Sequence, residues 1–365
     1  MSTVGVDLCT IPAGTSPDGV YNFIDPPSQG PAVIAVGVSL CAISTTAIAV
    51  RLYVNRRSLR SADYFTLVAC VMNIAFTGVI CAQHKFYRHQ WDVPVCWYDA
   101  GVFKLTFAQT VIWSPAFFFP KAAILLLYQQ LFAIQRTTRI AIYVGMAVTF
   151  LVYLSNIPLA AVYLAPRVGQ SWESLILTLE ANKTPMTTGG VVQSTIATLI
   201  DFYIFILPLP IITRLQMPPA RRFGLIAVFS TALLGVGASI VSVVVKIRLL
   251  KSTDVGWLTA ITSMASLIET NIAIIVGCMP SLPQFATHTI GGSSFFQSIR
   301  SRLLGSSGHA SKGNGKSEEG MSGPDKPMVT FGGTDQTPRR KNYYELTDST
   351  LLKTQGDTTL DRTEV

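Results

Sequence analysis

Three ionisable residues embedded in apolar runs are the first candidates for chemistry: Lys121, Asp201 and Glu269. A charge at mid-bilayer depth costs about 2.5–3.5 kcal/mol on insertion scales, so such side chains turn inward and take a partner. One ammonium and two carboxylates at a common depth could pair structurally, or hold an ion or ligand. Lys121 follows Pro120 in the stretch GVFKLTFAQTVIWSPAFFFPKAAILLLYQQLF. As a helix that stretch of roughly 32 residues runs about 48 Å, more than the ~30 Å hydrocarbon core of a bilayer.

Other chemistry-bearing types are sparser. His84, His89, Trp91 and Asp92 cluster between two apolar runs. No further ligand is spaced to complete a zinc site, so the expectation is an aromatic, hydrogen-bonded lid built from His89, Trp91 and Asp92 at the membrane surface. The run Leu207-Pro208-Leu209-Pro210 removes two helix hydrogen bonds. Pro208 and Pro210 therefore mark a kink or a moving hinge. Gly235, Gly237, Ala238, Ser239 and Ser242 read as a close-packing face. The six cysteines, Cys9, Cys41, Cys70, Cys81, Cys96 and Cys278, show no CxxC spacing, and no metal site is expected.

The elements that must position these residues are membrane spans. The chain has 365 residues, 49% hydrophobic and 13% charged, with mean hydropathy +0.43. A soluble domain carries about 25% charged residues, so the deficit points to a membrane protein, and the apolar spans exclude a soluble enzyme. Apolar spans are predicted at Pro31–Tyr53, Asp63–Gln83, Val102–Leu127, Ile140–Leu164, Val191–Leu215, Phe223–Val245 and Trp257–Met279. No strand-period alternation suggests a barrel. The fold class is an all-α membrane protein, a seven-helix bundle. The partner is a lipid bilayer, and the net charge of +8 does not point to nucleic acid.

Orientation follows the basic residues. Arg51, Arg56, Arg57 and Arg60, then Arg136 and Arg139, then Arg214, Arg221 and Arg222 place one set of loops in the cytoplasm. Lys246, Arg248 and Lys251 run against the trend, on the outer side. The sequon Asn182-Lys183-Thr184 falls in the fourth loop, outside, so Asn182 is a glycosylation candidate. Residues 1–30 contain no Lys or Arg and read as a short, unprocessed extracellular tail. Residues 31–285 form the membrane domain. Residues 286–365 are rich in Ser, Gly, Thr and Lys, and read as a disordered cytoplasmic tail. Cys9 and Cys96 are then the cysteines clearly outside the spans on the oxidising side, so they could pair, although spacing alone does not show that they meet. In this topology the third, fifth and seventh spans all run from outside to inside, which sets Lys121, Asp201 and Glu269 at similar depths.

These pieces together resemble the fungal rhodopsin-domain family. The resemblance is carried by Arg51 and Asp63, the run Arg88-His89-Gln90-Trp91-Asp92-Val93-Pro94, and Pro120-Lys121-Ala122-Ala123-Ile124-Leu125 with Tyr128. It continues through Asp201, Leu207-Pro208-Leu209-Pro210, Leu215-Gln216-Met217-Pro218, Arg248, Trp257, Glu269 and Pro280. Three departures stand out. Only Asp63 remains of the acids that precede the second span, Ala122 and Ala123 follow the lysine where a serine is common, and the fourth loop has Trp172 but no cysteine. The seventh span has no lysine, so no retinal is expected and no other cofactor is implied. The resemblance implies a receptor-like protein sensing an unknown small-molecule ligand, with a cytoplasmic signalling partner. The alternative is a carrier or embedded enzyme of a secondary-metabolite pathway, the enzyme branch resting on the Lys121, Asp201 and Glu269 cluster alone. The expected location is the plasma membrane.

Overall fold

The computed structural model describes residues 7–132, 136–210 and 219–281, without the side chains of 131, 132, 176–183 and 219–228. The tail expected over 286–365 lies outside the described residues. The helices are α1 (Gly30–Asn55), α2 (Ser61–Ala82), α3 (Ala100–Phe132), α4 (Arg136–Leu154), α5 (Asn156–Leu164), α6 (Leu175–Ile206), α7 (Pro219–Leu249) and α8 (Val255–Cys278). Seven stretches are long and apolar enough to cross a membrane, with α4 and α5 together forming one of them, Arg136–Leu164. The chain is an all-α membrane protein. Pro158 lacks the N–H that would bond back to Leu154, and the fourth span breaks at Ser155 between α4 and α5.

The bundle is built for lipid. On α4, Tyr143, Val144 and Leu151 are exposed while Gly145, Thr149 and Tyr153 are buried. Apolar side chains face outward because lipid solvates them, and small or hydroxyl-bearing ones line the helix contacts. By the same logic α8 is the central staff. Its apolar window is 61% buried, against 22% for α1. Its buried face is small and polar: Gly256, Ala260, Ser263, Ser266, Glu269, Thr270 and Asn271. It packs on α1, α2, α3 and α7.

Three boundaries differ from the sequence expectation. The fifth span was expected at Val191–Leu215, yet α6 begins at Leu175 and ends at Ile206. Pro208 cannot donate to Ile204, so the helix stops there. Pro208 and Pro210 lie just beyond α6 rather than inside it, and residues 211–218 are outside the described residues. Asn182 sits in α6 and not in a loop; its side chain is outside the described ones. The sixth span was expected to end at Val245, but α7 continues to Leu249 and carries Lys246 and Arg248 in its last turn.

Candidate functional site

Lys121 is where α3, α4, α6 and α8 meet. An ammonium has three N–H donors, and three acceptors surround Nζ. Tyr153 Oη lies at 2.6 Å, Asp201 Oδ1 at 2.7 Å and Glu269 Oε1 at 2.8 Å. Ser239 of α7 donates to Asp201 Oδ2 at 2.6 Å. The ammonium also stands 5.7 Å from the Phe117 ring centre and 5.2 Å from that of Tyr153. Five elements thus converge on one charge. The three residues predicted to share a depth are in direct contact. Their side chains are 3% (Lys121), 12% (Asp201) and 8% (Glu269) exposed. Desolvation of such charges is repaid only when every donor is matched, and here the lysine's donors are all matched.

Space lies on both sides of this cluster. A cavity of about 60 Å³ adjoins it on the side of Ile124, Tyr128, Phe205, Phe229 and Val276. A smaller chamber of about 10 Å³ lies on the other side, lined by Trp113, Ser194, Ser242, Ser266, Lys246 and Glu269. Lys246 was expected in an outer loop. It instead turns into the bundle, donates to Ser194 Oγ and stands 5.8 Å from the Trp113 ring centre. Ser239, Ser242 and Lys246 recur at intervals of three and four residues, one helical face, and that spacing was a readable signal. Tyr153 carried no comparable signal, since a lone hydroxyl in a span usually bonds its own helix.

The lid forms at the end of the bundle where α2 joins α3. The His89 ring is sandwiched between Trp91, centroids 4.6 Å apart, and Trp257, centroids 4.3 Å apart, both at 5°. His89 Nδ1 lies 2.6 Å from Asp254 Oδ2, and Gln90 N donates to Asp254 Oδ1 at 3.1 Å. Asp254 also caps α8 by accepting from Trp257 N at 3.4 Å. Gly256 allows this approach: a Cβ there would collide with the Arg88 carbonyl. Asp92 does not join the stack. It is buried and accepts from Asn22 N at 2.8 Å. Asp254 is the lid partner that the sequence did not single out, and Trp257 was read there only as part of the family resemblance.

Residues 7–29 of the N-terminal segment pack on this lid. Cys9 and Cys96 form a disulfide. Ala13 N donates to Val93 O at 2.8 Å, Val95 N to Ile11 O at 3.0 Å, and Gln29 N to Tyr87 O at 2.7 Å. Burial pushes the Tyr87 phenol up to about 12.

At the opposite end, Arg51 of α1 pairs with Asp63 of α2 and donates to the Gly277 carbonyl of α8. Between the two charge sites, Asn271 Oδ1 of α8 accepts from Ser44 at 2.7 Å and from Asn73 at 2.9 Å. Groups of three or more His, Cys, Asp or Glu arranged for a metal are absent among the described residues.

Seven apolar helices around a buried lysine–carboxylate cluster define a multi-pass membrane protein. Residues 47–288, more than half of the chain, match the fungal rhodopsin domain, and the chain belongs to that family. A SAT4 family membrane protein of Emericella nidulans is 27% identical over 266 residues. The match covers 72% of this chain and 63% of that relative, so the chain spans less than two thirds of the relative's length.

Proposed function

We propose that the protein is a receptor of the plasma membrane, with the lid outside the cell and residues 286–365 in the cytoplasm. One observation carries this reading: a single helix, α8, holds both the lid and the charge cluster. Asp254 and Trp257 at its start grip His89. Glu269 lies about 14 residues on, roughly 21 Å at 1.5 Å per residue, and grips Lys121. A small molecule that displaces the lid would shift α8 and change the match between the charges. Pro208 and Pro210 then serve as the hinge next to Asp201, and a cytoplasmic signalling protein reads the far end. No retinal is bound, since the matched ammonium of Lys121 is not a free amine nucleophile.

A second reading, a carrier or embedded enzyme of a secondary-metabolite pathway, is favoured by the spaces on both sides of the cluster. Deleting the gene separates the two. A receptor loses a transcriptional response to an external compound while the intracellular metabolite profile is kept. A pathway component accumulates a precursor or loses a product, and that outcome overturns the receptor reading.

A further inference from the structure

We propose that the 60 Å³ cavity beside Asp201 is a binding site for a small organic monocation, an alkylammonium ion. Three observations converge on that class.

The first is charge. Lys121, Asp201 and Glu269 together leave one negative charge in excess. Lys246 is the other cation near this cluster, but it lies in the opposite chamber with Glu269. It is hydrogen-bonded to Ser194 and makes no ion pair among the described residues. Counting only Lys121, Asp201 and Glu269, a monocation in the inner cavity brings the contacting charges to two of each sign.

The second is exposure. Asp201 is the least covered member of the cluster, at 12% against 3% for Lys121, and it lines the cavity. Lys121 and Glu269 line the cavity too, so an occupant meets two carboxylates beside one ammonium whose three donors are already matched, a set that suits a charged N–H donor.

The third is the wall. Ile124, Ile204, Ile272 and Val276 are aliphatic, while Tyr128, Phe205 and Phe229 supply aromatic rings. A hard metal cation takes about six oxygen ligands, and this wall is mostly carbon. An organic cation gains from the same wall through burial and cation–π attraction. At roughly 15 Å³ for each site that holds a water, the volume suits about four heavy atoms.

This assignment goes beyond the receptor reading, because an amine site serves a receptor, a carrier or an enzyme alike. Binding is therefore read directly on the purified full-length chain in lipid nanodiscs. Thermal unfolding is followed against n-propylammonium chloride, with sodium chloride and 1-propanol at equal concentrations. The expected result is a saturable rise in the midpoint with propylammonium alone. Asp201→Asn weakens the apparent affinity about tenfold or more, the loss of a charge-assisted hydrogen bond. Ala232→Leu abolishes the effect by filling the cavity without touching a charge, and decides the matter if Asp201→Asn does not fold. No saturable rise, an equal rise with sodium or propanol, or an undiminished rise in folded Ala232→Leu overturns the site. A protein that binds the amine but triggers no response refutes the receptor reading alone.

Discussion

Arg51 Nε donates to Asp63 Oδ1 across 2.8 Å, and both side chains are 2% exposed. The pair closes the ends of α1 and α2, and Arg51 reaches on to the Gly277 carbonyl of α8. Asp63 also accepts from Arg60 N at 2.9 Å and from Asn55 at 3.0 Å. One carboxylate therefore caps α2 and holds the turn between the first two spans.

Removing one partner strands the other. Asp63→Ala is expected to cost about 3–5 kcal/mol of stability, read as a lower thermal midpoint in detergent. Arg51→Met combined with Asp63→Leu recovers a large part of that loss. Two single effects that merely add in the double variant would show that the pair is not a unit.

The lid predicts a local effect and no global one. His89→Ala removes two ring stacks, each worth about 0.5–1.5 kcal/mol, and the contact with Asp254. Amide exchange at Gln90, whose N–H is bonded to Asp254, speeds up, while protection in α3 is unchanged. Unaltered exchange at Gln90 contradicts the lid's attachment to α8.

Topology gives a third prediction. In a eukaryotic secretory system Asn182 carries a glycan that a glycosidase removes, seen as a mobility shift lost in Asn182→Gln. An epitope at the C-terminus is reached by antibody only after permeabilisation. Antibody labelling of intact cells reverses the orientation.

Much of the fold was legible because bilayer thickness and apolar run length are tied together. Lys121, Asp201 and Glu269 were legible for a related reason: deep charges are few and must meet. The ends of spans were less so. Lys246 looked like a loop residue because charge ends an apolar window, yet its long stem lets the ammonium reach inward to Ser194. Pro208 did mark a break, but as the end of α6 instead of a bend within it. Tyr153 and Asp254 could not be placed from sequence, because their roles depend on which helices are neighbours. The docking of residues 7–29 on the lid was legible only at Cys9 and Cys96; the rest of it is mostly backbone hydrogen bonding, which carries no side-chain signature.

The central claim is that Lys121, Asp201 and Glu269 act as one charge-matched unit. The direct measurement is a stability cycle in detergent with Lys121→Met, the pair Asp201→Leu and Glu269→Leu, and all three together. Lys121→Met alone leaves two facing carboxylates and is predicted to cost about 3–5 kcal/mol, tempered where a carboxylate takes up a proton. The triple variant is predicted to be more stable than Lys121→Met. If Lys121→Met is harmless and the effects simply add, the three residues are not a unit.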